Sequence, residues 1–65
     1  MAGPTREVLY EVRRVGNAVK VSALDAASGT EISIVGPAGA SMADLRRAAL
    51  RRLEYVLAKG RESGR

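Results

Sequence analysis

The side chains in this chain that could move a proton or attack a substrate are few. Neither histidine nor cysteine occurs among its 65 residues. That removes the usual neutral-pH base, the thiolate nucleophile and the common zinc ligands. What remains is a row of Glu11, Ser22 and Ser33, which the strand register worked out below aligns across an open sheet face. A carboxylate beside two hydroxyls is a solvated row unless a pocket excludes water from it. The sequence gives no reason to expect one. No catalytic residue, metal site or cofactor is therefore expected, and the chain is not expected to be an enzyme.

Charge offers a second kind of chemistry. The net charge is +4, and the excess is local: residues 41–60 carry Arg46, Arg47, Arg51, Arg52 and Lys59 against Asp44 and Glu54, whereas residues 1–40 are neutral in sum. Arg13, Arg14, Lys20, Arg47 and Arg51 are the residues a nucleic-acid-binding module would use. Against that, aromatic residues are 3% of the chain, with no Trp or Phe to stack on bases. Glu7, Glu11 and Glu31 also fall on the surface that would face phosphates. Arginines flanking an apolar helix face commonly lay their methylenes over the core edge and send the guanidinium to water. Nucleic acid is thus the alternative partner rather than the first.

A third feature is the loop Gly36-Pro37-Ala38-Gly39-Ala40-Ser41, which joins a strand to a helix. Free N–H groups at Gly39, Ala40 and Ser41 could hold an anion at the helix start. The loop lacks the Gly-Lys-Ser/Thr ending of a phosphate-binding loop, and Pro37 removes a donor. A plain connector is the simpler reading.

These residues are positioned by elements legible in the pattern. Ala18–Asp25 reads as the middle strand of three. Before it, Val15-Gly16-Asn17-Ala18 is a two-residue hairpin signal, both central residues tolerating positive φ. After it, Asp25-Ala26-Ala27-Ser28-Gly29-Thr30 is a longer loop with Gly29 where a left-handed residue is needed. Counting out from the turns sets Val15 opposite Ala18, Val12 opposite Val21 and Tyr10 opposite Ala23. The second loop sets Asp25 opposite Thr30, Ala23 opposite Ile32, Val21 opposite Ile34 and Val19 opposite Gly36. Both hairpins place Val8, Tyr10, Val12, Val19, Val21, Ala23, Ile32 and Ile34 on one face. A one-residue slip in either would flip a whole strand.

The third strand, Glu31–Val35, should stop at Gly36-Pro37. Ser41, with Asp44 three residues on, is a helix N-cap. From Met42 to about Lys59 the residues are strong helix formers, and Gly60 is the expected stop. At helical spacing Met42, Leu45, Ala49, Leu53, Val56 and Leu57 form one apolar stripe, with Leu50 at its margin. Stripe and sheet face each need cover. The expected fold is α+β: a three-stranded antiparallel β-meander in order 1-2-3 packed against one C-terminal α-helix, with a disordered lead at residues 1–6, one domain over 7–60 and a frayed tail at 61–65.

Having that pattern, RRVGNAVKVSALDAASGTEISIVGPA followed by a Leu-Ala-Arg helix ending LEYVLA resembles a family of short, uncharacterised bacterial proteins, a domain of unknown function. The resemblance covers nearly the whole chain. It implies a free-standing bacterial protein and carries no activity, substrate or site residue to transfer.

Size then points to a partner. A domain this small buries only about 60% of the surface its unfolded chain exposes, and without cysteine or histidine the usual supplement left is self-association. The third strand has an open edge free of Lys and Pro. Ile32, Ser33 and Val35 on it, with Leu9, Leu24 and Val15 on the open sheet face, are the candidate interface residues. A symmetric homodimer, or binding to another protein, is the leading expectation. Met1–Arg6 lacks the features of a signal peptide, and no run approaches the ~20 apolar residues of a membrane span. The helix stripe has no Trp or Phe anchors for a membrane surface. A cytoplasmic protein with no membrane partner is the expectation.

Overall fold

The computed structural model describes residues 7–63. The lead expected at 1–6 and the last two residues of the chain lie outside them. Three strands, β1 (Val8–Val15), β2 (Ala18–Asp25) and β3 (Glu31–Pro37), precede one helix, α1 (Met42–Ser63). They form one antiparallel sheet in the order β1-β2-β3, with the helix packed on one face. The α+β meander expected from the pattern is the observed fold.

The register follows from the turns. Val15 pairs with Ala18, Val12 with Val21 and Tyr10 with Ala23, while Ala23 pairs with Ile32, Val21 with Ile34 and Val19 with Gly36. At the first turn only Gly16 has positive φ, 59°. That is the pattern of a type II′ turn, so Asn17 does not use the left-handed freedom the sequence grants it. At the second, Gly29 has φ 77° and its N–H donates to the Asp25 carbonyl at 2.8 Å. The Asp25 carboxylate accepts from the Ser28 N–H at 3.2 Å and the Ser28 hydroxyl at 2.7 Å, which fastens the loop from within.

Two boundaries differ from expectation. β3 continues through Gly36 to Pro37, which pairs with Ala18. Odd-numbered residues of β3 point their backbone groups away from β2, so the donor that proline lacks is missing from the free edge and not from the ladder. The helix runs past Gly60 to Ser63. Gly60 does not take the positive φ of a C-terminal cap, so the helix continues through it, and 61–63 are helical where a frayed tail was expected.

The core is Val19, Val21 and Ala23 of β2 against Leu45, Ala49 and Leu53 of α1. Val21 and Leu53 are the largest side chains sealed within it. Ile32, Ile34, Met42 and Leu57 pack around this centre. The helix lies over β2 and β3, and of β1 only Val8 reaches the packed set. One helix is about 10 Å across and strands are about 4.8 Å apart, so α1 covers two strands and leaves the third bare.

Candidate interaction surface

Bare β1 is where the structure departs most from a closed core. Tyr10 and Val12 lie on the helix-side face, opposite Ala23 and Val21, yet they are 38% and 44% exposed where their neighbours are fully buried. On the other face of the same strand Leu9 and Val15 are also exposed. β1 therefore carries exposed large apolar side chains on both faces, and it is an edge strand. The residues of that strand were assigned correctly to their faces from the sequence. What periodicity does not reveal is how far one helix reaches across a sheet.

The candidates named from sequence divide between faces. Leu9 stands opposite Leu24 on the open face, and Val15 at the hairpin end of that face. Among the described residues Val35 is the most exposed large apolar side chain, at 69%, directly opposite Lys20. Ser33 is exposed at the free edge. Ile32 is half-buried against the core on the helix side, so its side chain is not part of the open face with the other five.

The row of Glu11, Ser22 and Ser33 is present. Ser22 pairs with Glu11 on one side and Ser33 on the other, and the two serine hydroxyls are 2.9 Å apart. They line a half-open depression of ≈ 300 Å³ together with Glu11, Glu31, Arg13 and Lys20. Two carboxylates and two cations around a shallow dish make a mixed, solvated surface with no base close to a hydroxyl and shielded from water.

The basic candidates are not gathered. Arg13 faces Lys20 on the open side of the sheet. Arg14 lies on the opposite face, with its Nε donating to the Gly16 carbonyl at 3.1 Å. Arg47 and Arg51 sit exposed on α1, beyond that second face, and Arg47 pairs with Asp44 at 3.2 Å. One nucleic-acid backbone cannot contact both sides of the sheet at once. At the helix start the Ser41 hydroxyl accepts from the Asp44 N–H at 3.3 Å, and the Ala40 N–H is already given to the Pro37 carbonyl. Gly39, Ala40 and Ser41 thus form a capped connector beside a carboxylate, which is unfavourable ground for an anion.

Tyr55 was not singled out by pattern. It is exposed on α1 with the Arg52 guanidinium 5.8 Å and the Lys59 ammonium 5.9 Å from its ring centre. The spacing of three and four residues along a helix is the signal that could have found it. Among the described residues no group of side chains could hold a metal ion, and no helix is long and apolar enough to cross a membrane.

The chain belongs to the family described as a domain of unknown function, DUF6898, which matches residues 5–60. This agrees with the resemblance to an uncharacterised family. No curated protein and no solved structure matches the chain.

Proposed function

We propose that this protein is a non-catalytic interaction module that works as a homodimer, its sheet completed by a second copy. The observation that carries the reading is the apolar face of β1, where Tyr10 and Val12 belong to the core side of the sheet but have no helix over them. Exposed apolar surface beside an open strand edge is what protein partners cover, by burying side chains and extending the ladder together. Small size supports the same reading, because a domain of 65 residues buries a smaller share of its surface than a larger one and a second copy adds buried area. The reading extends to a bacterial, cytoplasmic protein.

A nucleic-acid-binding module is the alternative. It is favoured by the net charge of +4 and by the Arg13–Lys20 pair on the open face. The division of the remaining basic residues between two sides weighs against it.

Solution mass as a function of protein concentration, at two salt concentrations and with or without a mixed DNA and RNA pool, tests both. The expected result is a dimer whose mass changes little with salt and not at all with nucleic acid. A monomer that gains mass only with nucleic acid, and only at low salt, would overturn the dimer reading and support the alternative.

A further inference from the structure

The two open edges of the sheet are not equivalent partners for a second copy. In an antiparallel pair related by a two-fold axis, side chains directly opposite each other must lie on the same face, so the axis always passes through a residue facing its own image. Each edge therefore offers only a few symmetric registers, and their side chains can be compared one by one.

The direction of the free backbone groups on β1 is fixed by the hairpin. The Glu7 carbonyl accepts from the Ala26 N–H at 3.0 Å, so odd-numbered residues of β1 bond inward to β2. Val8, Tyr10, Val12 and Arg14 then aim their N–H and C=O groups outward. An axis through Glu11 sets glutamate against glutamate, and one through Arg13 sets arginine against arginine, each at the closer, non-hydrogen-bonded spacing where like charges are most costly. An axis through Tyr10 leaves Arg14 and Val15 beyond the paired segment. An axis through Val12 behaves differently. It sets Val12 against Val12 of the partner subunit, Glu11 against the partner's Arg13, Leu9 against the partner's Val15, and Tyr10 against the partner's Arg14.

We propose that two copies pair antiparallel along β1 with the two-fold axis at Val12, joining their sheets into one continuous six-stranded sheet with both helices on the same side. The proposal rests on the homodimer reading above and names its surface. Four features converge on this register. The outward-facing Tyr10, Val12 and Arg14 each exchange both backbone hydrogen bonds with the copy. Glu11 and Arg13 meet as two symmetry-related ion pairs. Each of the four exposed large apolar side chains of β1, Leu9, Tyr10, Val12 and Val15, gains a cross-strand neighbour. The Tyr10 ring receives a guanidinium, the favourable partner for its face. The β3 edge has no comparable register. An axis through Ser33 sets the Glu31 carboxylate against Val35, and an axis through Ile34 sets Glu31 against Pro37, whose outward position has no N–H to give.

The chain has no native cysteine, so a single introduced thiol reports on itself. Val12→Cys is expected to form a disulfide-linked dimer on mild oxidation, since Cα atoms of a hydrogen-bonded pair lie about 5.5 Å apart, within the roughly 4.4–6.8 Å that a disulfide spans. Ser33→Cys, at the other edge, is expected to remain uncrosslinked. Charge reversal supplies a second readout that does not depend on cysteine geometry. Glu11→Arg and Arg13→Glu are each expected to weaken dimerisation at least about tenfold by replacing two attractions with two repulsions, and the double variant should recover it. Both positions are exposed, and circular dichroism of each variant checks that the fold is kept. A dimer that is indifferent to the reversals, or that crosslinks through Ser33→Cys and not Val12→Cys, would overturn the β1 assignment while leaving the homodimer reading standing. A parent chain that stays monomeric at every concentration would overturn both.

Discussion

Gly36 and Leu45 meet so closely that a Cβ built on the glycine would lie 2.5 Å from Leu45 Cδ2. Gly36 is on the helix side of β3, opposite Val19, and its missing side chain is what lets the first turn of α1 settle onto the sheet. Leu45 is itself buried at 7% exposure, so it has little room to turn aside. Two effects oppose each other in Gly36→Ala. Loss of backbone freedom in the unfolded chain stabilises by roughly 0.4–1 kcal/mol, and overpacking costs typically 1–3 kcal/mol. The net expectation is a loss of about 1 kcal/mol, larger for Gly36→Val. Urea titration with an unchanged slope would show it, and a Gly36→Ala variant as stable as the parent would mean that the contact is slack.

Gly60 is the opposite case. It lies inside α1 with no positive φ, and nothing stands within 4 Å of where its Cβ would be. Glycine in a helix interior is about 0.5–1 kcal/mol less favourable than alanine. Gly60→Ala is therefore expected to raise helicity and the urea midpoint by up to that amount. If position 60 were instead a left-handed cap, the same substitution would destabilise, so the sign of the shift separates the two arrangements.

These two glycines also mark what could be read from sequence. The fold and register were legible because two turns with a glycine in each independently phased the same apolar face, and Val21 and Ala23 could satisfy both hairpins only one way. The role of Gly36 was not legible. It is a contact between a strand and a helix brought together by the fold, and local pattern carries no distance between them. Gly60 resembles a helix stop in composition, and only its dihedral angle distinguishes a cap from a continuing turn. The candidate surface was half legible for the same reason. Tyr10 and Val12 have the period of core residues, but which strands a single helix covers depends on its placement across the sheet.

Arg13 and Lys20 face each other directly on the open side of β1 and β2. Like charges opposite one another oppose pairing, although solvent screens exposed groups such as these, so the expected effect is roughly a few tenths of a kcal/mol. Arg13→Thr should raise the melting temperature of the chain at low salt, measured below the concentration at which it associates. Added salt should stabilise the parent more than the variant, because it screens a repulsion that the variant no longer has. A variant less stable than the parent at low salt would show that the arginine stem contributes more by packing than its charge costs.

Ser22 is the one hydroxyl of the open face that is buried, at 8% exposure, and its Oγ lies 2.9 Å from Ser33 Oγ on the edge strand. A neutral hydrogen bond of this kind contributes about 1 kcal/mol net, while a buried hydroxyl left without its partner costs about 1–3 kcal/mol. The two single variants should therefore differ. Ser33→Ala leaves the buried Ser22 hydroxyl behind and is expected to cost more than Ser22→Ala, which leaves an exposed hydroxyl that water can satisfy. Removing both should cost less than the two single losses added together, because the double variant no longer buries an unmatched group. A double-mutant cycle by urea denaturation reads this coupling. Strict additivity would mean that water already serves both hydroxyls and that the pair does not hold β2 to β3. A coupling of about 1 kcal/mol would identify it as a polar fastener that keeps the open face in register where no helix covers it.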